Sequence, residues 1–404
     1  MGFLELTDVA YRLPGGWTLF EGVTFRVPEG AHSALVGANG IGKTTLLRLI
    51  AGEDQPSGGS IRVDGRVGLM RQFIGSTEQP TTVHAFLLAY SDPAVREAAA
   101  RLQRAEERLA AGPDEPAQLA YAEALEAWET AGGYRAEVLW DRCAAEAFGG
   151  GYPGSATRPI ETLSGGERKR LALEIVLRSS FDVVVLDEPD NTLDIAGKEW
   201  LESQIRDDPR TMLFVSHDRT VLERTATQVV TLEGRATWTH PGGFATYADA
   251  RDARVERLDD EHRRYDDERQ RLSDMVKEMK RKAAYNDKWA AKARNAEHRL
   301  ERFVEREQPP EKADVQNVKM RVDGGRTGKV AFRARGLAIA GIVAPFDAEV
   351  RFGERIGVIG PNGSGKSHFL RLLAGEPIGH EGEWMLGARV EHPLPLVPLS
   401  LIHI

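Results

Sequence analysis

A single cysteine, Cys143, stands in 404 residues. One thiol closes no internal disulfide and builds no multi-cysteine zinc site, which suits a reducing cytosol and leaves Cys143 as a small buried residue. Long apolar runs are missing too. No stretch approaches the roughly 20 residues that cross a bilayer, and the amino terminus has no basic segment followed by an apolar one. The expectation is a cytoplasmic chain without a membrane span or secretory signal. Lysine is scarce: of 12, five (Lys277, Lys280, Lys282, Lys288, Lys292) fall within sixteen residues. A net charge of -8 excludes a protein that coats nucleic acid through its whole surface, but it permits a local basic patch. With 41% apolar and 28% charged residues, wholesale disorder is excluded.

What is present is a repeat. Gly30 to Gly59 reads GAHSALVGANGIGKTTLLRLIAGEDQPSGG, and Gly353 to Gly382 reads GERIGVIGPNGSGKSHFLRLLAGEPIGHEG, aligned without a gap at an offset of 323. Apolar runs (Ala34, Leu35, Val36; Val358, Ile359), a glycine-rich turn and a periodic segment (Leu46, Leu47, Leu49, Ile50) predict strand, loop and helix twice over.

The turns spell G-A-N-G-I-G-K-T over Gly37 to Thr44 and G-P-N-G-S-G-K-S over Gly360 to Ser367, the phosphate-loop pattern G-x4-G-K-[ST]. Its spacing is mechanical: glycines (Gly37, Gly40, Gly42; Gly360, Gly363, Gly365) let backbone N–H groups point at phosphate oxygens, and Lys43 or Lys366 reaches the β and γ phosphates. Thr44 and Ser367 offer a hydroxyl to Mg2+, and Asn39, Thr45 and Asn362 complete the nucleotide-binding set. Val183 to Glu188 is an apolar strand ending in two carboxylates, where Asp187 is placed to hold Mg2+ and Glu188 to orient a water. Ser164, Gly165 and Gly166 open a helix and form a second anion-binding tip.

Taken in order, LSGGE at 163–167, LDEP at 186–189, Asn191 to Asp194 and Ser216-His217-Asp218 after a phosphate loop resemble the ATP-binding cassette ATPases. The resemblance implies that Gln72, after Val67 to Met70, links Mg2+ and water to the helical subdomain. It also implies that Glu188 is the general base, His217 the γ-phosphate sensor, Asp194 a dimer-contact aspartate and Tyr11 a candidate for stacking on adenine. For Tyr11, core packing is an equal alternative and Trp17 competes. In this family ATP lies between the phosphate loop of one cassette and the LSGGE-type tip of another.

Leu and aromatic residues at helical spacing from about 85 to 180 predict a helical insertion, broken at Gly112 and Pro113. From about 249 to 306 the sequence becomes heavily charged. A heptad seam (Val255, Leu258, His262, Tyr265, Leu272, Val276, Met279), a break around Tyr285, Asn286 and Asp287, and a second seam (Trp289, Ala293, Ala296, Leu300, Phe303) predict an antiparallel helical hairpin. Its first helix, about 35 residues long, would reach roughly 50 Å. The bend concentrates positive charge: Lys277, Lys280, Arg281, Lys282, Lys288, Lys292 and Arg294 oppose only Glu278 and Asp287. That pattern fits phosphate neutralisation on structured RNA, with Tyr285 or Trp289 stacking on bases or Trp289 closing the coiled-coil core.

Two cassettes, no membrane segment and a charged hairpin between them resemble the ABC-F class. That implies an ATP-driven conformational clamp acting on ribosomal RNA and tRNA, for translation or antibiotic resistance; an energising subunit of a separate membrane transporter is the alternative. Asp190 and Thr192 depart from that class, which commonly has Thr and His there. The expected fold is α/β: a phosphate-loop cassette at 1–240, a hairpin linker at 241–325 and the opening of a second cassette at 326–404. That second cassette reads as truncated, because no second LSGG and no Asp-Glu pair follow Lys366. The expectation is either an incomplete chain or a short form that pairs first cassettes as a homodimer.

Overall fold

The computed structural model describes residues 2–71, 81–233, 236–284, 289–306, 330–339, 341–361 and 363–387. The chain divides into two compact units, one of Met1–Leu69, Ser180–Asp187 and Asp208–Gln316, the other of Met70–Ser179, Glu188–Asp207 and Asn317–Ile404.

Along the chain, β1 (Leu4–Arg12) and β2 (Thr18–Val27) alternate buried apolar with exposed residues and pair antiparallel. The apolar run of β3 (His32–Gly37) turns through glycines into α1 (Lys43–Ile50), followed by β4 (Gly58–Val63) and β5 (Val67–Met70). The insertion folds as α2 (Val83–Ala89), α3 (Pro93–Ala111), α4 (Glu115–Thr130), α5 (Gly133–Phe148), α6 (Tyr152–Ser155) and α7 (Gly165–Arg178). Helix α3 stops at Gly112, and Asp114 caps α4 by accepting from the Ala117 amide at 2.7 Å. Strand and helix then alternate through β6 (Val183–Asp187), α8 (Ile195–Asp207), β7 (Thr211–Val215), α9 (Arg219–Thr225), β8 (Gln228–Glu233) and β9 (Ala236–His240). Two long helices follow, α10 (Tyr247–Ala283) and α11 (Ala290–Arg306), and then β10 (Val330–Ile339), β11 (Val343–Arg351), α12 (Lys366–Leu373) and β12 (His380–Leu386).

In the first unit a sheet of order β5-β6-β7-β3-β8-β9 has β6, β7, β3 and β8 parallel. A three-stranded antiparallel sheet of order β2-β1-β4 belongs to the same core. Phe20, Leu35, Leu46, Leu47, Val185, Leu213 and Val230 are buried together there, which fixes β3 and α1 against the strands on either side.

The repeat reaches further back than the aligned segments, since β11-β10-β12 has the same order as β2-β1-β4. Both copies share one close approach. Gly59 (φ 76°) lies where a Cβ would run into the carbonyl of Asp8, and Gly382 (φ 85°) where it would meet the carbonyl of Gly336. Asp8 itself has φ 51° and Gly336 φ 56°, so each first strand is kinked at the same point. The copies differ at the expected strand before the second phosphate loop. Residues 352–361 form no strand; Leu35 is fully buried whereas its aligned counterpart Val358 is 41% exposed. β3 is a strand because β7 and β8 pair with it on both sides, and among the described residues of the second copy nothing stands in their place.

In the second unit α2, α5 and α6 meet at Trp140, whose ring His84 and Tyr152 meet edge-on at 5.4 and 5.2 Å. His84 Nδ1 lies 2.6 Å from the Tyr152 hydroxyl. Cys143, on the same helix as Trp140, is buried, and desolvation, reinforced by Glu174, pushes its thiol up to about 12, so it is a packing residue and no nucleophile.

The hairpin is antiparallel: Lys280 pairs with Glu297, and Tyr265 stacks on Phe303 at 5.1 Å. Leu272, Val276, Ala293 and Ala296 form its buried seam. The expected seam starts too early, because Val255 is exposed. With 37 residues against 17, α10 outruns α11, whose last residues reach only to about Tyr265. The near end of α10 is instead anchored by Tyr247, which stacks with Trp238 and Phe244 and bonds Thr231 at 3.0 Å. Among the described residues no helix is long and apolar enough to cross a membrane.

Gly59→Ala is expected to cost about 1–3 kcal/mol from overpacking and strain at positive φ, whereas Gly112→Ala, with nothing within 4 Å of the added Cβ, should be nearly neutral. Denaturant midpoints of the two variants check this.

Candidate functional site

In the first unit three adjacent strands deliver polar residues to one edge of the sheet. Phe214 of β7 pairs with Ala34 of β3 on one side and Leu186 of β6 on the other, so the strands end close to one level. At those carboxyl ends lie Gly37 and the loop to Thr45, the buried carboxylate of Asp187, and Ser216-His217-Asp218. Open parallel sheets bind ligands at this edge.

The loop is built by close approach and by backbone handedness. A Cβ on Gly37 would press on the Leu232 carbonyl at 2.6 Å, and Gly42 (φ 106°) is the left-handed N-cap of α1 with no side chain capping the helix. Lys43 is 7% exposed and donates through Nζ to the carbonyls of Gly37 at 2.8 Å and Ala38 at 3.1 Å. Asn39, Gly40 and Thr44 are exposed and Thr45 is half-buried. His217 is exposed, and the Asp218 carboxylate turns inward along its own chain to cap α9 through the Thr220 amide at 2.9 Å. Tyr11 is half-buried and leans on Phe20 at 6.1 Å against the core, while Trp17 stands 79% exposed on the β1–β2 turn.

In the second unit Glu188 follows directly on β6 with φ 48°, and Thr192 has φ 70°. Between them the amide Nδ2 of Asn191 donates to the Glu188 carboxylate. The Asn191 amide N–H donates to the Glu188 carbonyl at 3.3 Å, and Asp194 accepts from Gly197 N–H at 2.9 Å. The sequence marked this segment by motif but missed the Asn191 contact, whose only trace is a spacing of three across a proline turn.

Ser164 opens α7 in a reciprocal cap: its Oγ accepts from the Glu167 amide at 3.2 Å and its own amide donates to Glu167 at 2.7 Å. A Cβ on Gly165 would meet nothing within 4 Å, so the tip is open to an incoming group. Further along, Glu174 holds Arg170 and Arg178 at 2.9 and 2.6 Å, and the Arg170 guanidinium lies 3.3 Å over the Trp200 ring, joining α7 to α8.

The second phosphate loop repeats the first. Gly365 (φ 88°) is an uncapped left-handed N-cap, and Lys366 Nζ donates to Gly360 and Pro361 carbonyls, both at 2.7 Å. Gly363 has φ 80° and Ser367 is exposed. At the hairpin, Lys282 and Lys292 lie 5.1 and 4.4 Å from the centroid of Trp289. Gln72, Tyr285, Asn286, Asp287, Lys288 and Asn362 lie outside the described residues.

These residues fit a nucleotide phosphate chain. Each loop sets an ammonium group among carbonyls at the uncapped amino end of a helix, a donor set complementary to an anion. Among the described residues no group of three or more His, Cys, Asp or Glu can hold a metal. A site offering one hydroxyl and one carboxylate suits Mg2+ carried by the phosphates rather than a dedicated metal cage.

The ABC transporter family matches residues 20–191 and 343–394. An antibiotic resistance protein of Mycobacteroides abscessus is 44% identical over 412 residues, covering 96% of this chain and 74% of that protein. The tylosin resistance ATP-binding protein TlrC of Streptomyces fradiae is 34% identical over 400 residues, covering 92% and 72%. The energy-dependent translational throttle protein EttA of Mycobacterium tuberculosis is 28% identical over 395 residues, covering 93% and 66%. With its phosphate loops, its LSGGE tip and these relatives, the chain belongs to the ABC transporter family of ATPases, and within it to the ABC-F type.

Proposed function

We propose that ATP binding closes a clamp between cassettes, that its hydrolysis to ADP and phosphate reopens it, and that the motion drives the hairpin against ribosomal RNA and tRNA. The observation that carries this reading is the single sheet edge holding the loop at 37–45, Asp187 and His217 in the unit from which the hairpin extends. Relatives named for antibiotic resistance and for throttling translation support a ribosomal target. The service performed is translation control or ribosome protection against a drug, in the cytoplasm.

In this reading the amides of Gly37 to Thr45 and the Lys43 ammonium bind and orient the phosphates, and Tyr11 contacts adenine. Bound Mg2+ would be held by Thr44, Asp187 and Gln72 and would neutralise phosphate charge. Glu188 takes the proton of the attacking water at its carboxylate, and His217 senses the γ-phosphate. Ser164, Gly165 and Gly166 close over nucleotide held by another cassette, which a second copy of the chain supplies if it pairs as a homodimer. Gly360, Asn362, Gly363, Gly365, Lys366 and Ser367 bind a second nucleotide. At the hairpin bend Lys277, Lys280, Arg281, Lys282, Lys288, Lys292 and Arg294 neutralise RNA phosphates.

Glu188→Gln should slow hydrolysis by about 10^2- to 10^4-fold while ATP stays bound, and gel filtration with ATP should then show the closed pair. Parent-like turnover rejects the base assignment. Replacing Lys280, Arg281 and Lys282 by Ala should weaken ribosome co-sedimentation and lower its log–log salt slope by about two to three. Binding that is unchanged, or that moves to a membrane fraction, rejects the ribosomal reading.

A further inference from the structure

We infer that Asn191 is a positioning residue: its side-chain amide fixes the Glu188 carboxylate in the orientation from which that group works. The inference rests on the reading of Glu188 as the base. Asn191 grips Glu188 twice, donating through Nδ2 to the carboxylate and through its backbone N–H to the carbonyl at 3.3 Å. The second contact, with Leu193 N–H donating to the Asp190 carbonyl at 3.2 Å, folds 188–193 into consecutive turns. The turns hold Glu188 at φ 48° and Thr192 at φ 70°, both unusual for residues with a Cβ and, for β-branched Thr192, strained.

A carboxylate on a freely rotating side chain presents its oxygens in many directions, and only a few suit a water aligned with a phosphorus atom. One hydrogen bond from a short side chain, on a turn whose backbone is itself bonded to Glu188, removes part of that freedom before substrate arrives. Asparagine suits the task. It donates without charge, so it adds no competing cation at a phosphate site, and its short side chain cannot reach past the turn. Aspartate would set a second carboxylate against the first and push Glu188 away.

The contact is read directly from the amide resonances of protein labelled with 15N-asparagine, assigned by their loss in Asn191→Ala. The Asn191 pair should lie away from the free-amide position in the parent and return to it in Glu188→Ala. This readout needs no turnover. In steady state Asn191→Ala should lower kcat by about 10- to 100-fold with KM for ATP and melting temperature unchanged. Asn191→Ser, which keeps a donor, should recover part of the loss, and Asn191→Asp none. A resonance unmoved by Glu188→Ala, or a rise in KM with kcat intact, overturns the role of Asn191 alone. Parent-like turnover by Glu188→Gln with the resonance shift preserved overturns the base assignment, and this role with it.

Discussion

Burying an ammonium group is the constraint around which the first unit is arranged. Lys43 is 7% exposed, and an isolated charge so far from water costs several kcal/mol unless dipoles replace its hydration. The Gly37 and Ala38 carbonyls supply part of that shell, and they can turn inward only because the loop passes through left-handed glycines. Around the loop, β3 is held on both sides and α1 is pressed into the core by Leu46 and Leu47, and that packing is what buries the lysine. Core, strand order and glycine placement thus converge on a cation that an anion then completes.

The phosphate loops, the LSGGE tip and the hairpin were legible in the sequence because each is a local pattern. Left-handed glycines, a serine at a helix start and heptad spacing act over a few residues, and the structure realises them where they are written. Three features were not legible. The run at Val358 and Ile359 reads as a strand, but a strand exists only where neighbours bond its backbone, and that information lies elsewhere in the chain. The seam at Val255 has the right spacing, yet spacing says nothing about how far the partner helix reaches. Asn191 and Glu188 meet through strained turns, which no propensity predicts.

The two copies of the repeat show what the phosphate loop requires. The second keeps the kinked antiparallel sheet, the left-handed glycine and the lysine folded onto its carbonyls. It keeps them without the paired central strand. The loop conformation is therefore a property of about a dozen residues and the helix they enter, whereas the burial of the lysine depends on the sheet. Lys43 is buried; Lys366, at the matching position of the second loop, is only half-buried.

Helix α10 is rooted through Tyr247 in β8 and β9, and β8 pairs with β3, the strand that carries the phosphate loop. At 1.5 Å per residue its 37 residues span roughly 55 Å. The root therefore acts as the short arm of a lever. A tilt of about 10° there would sweep the far end through roughly 10 Å, while atoms next to the pivot would move far less. Displacement at the distant end is bought by length, and the force available there falls in the same ratio. Such an arm is fitted to nudging a partner already held in place, not to prying one apart.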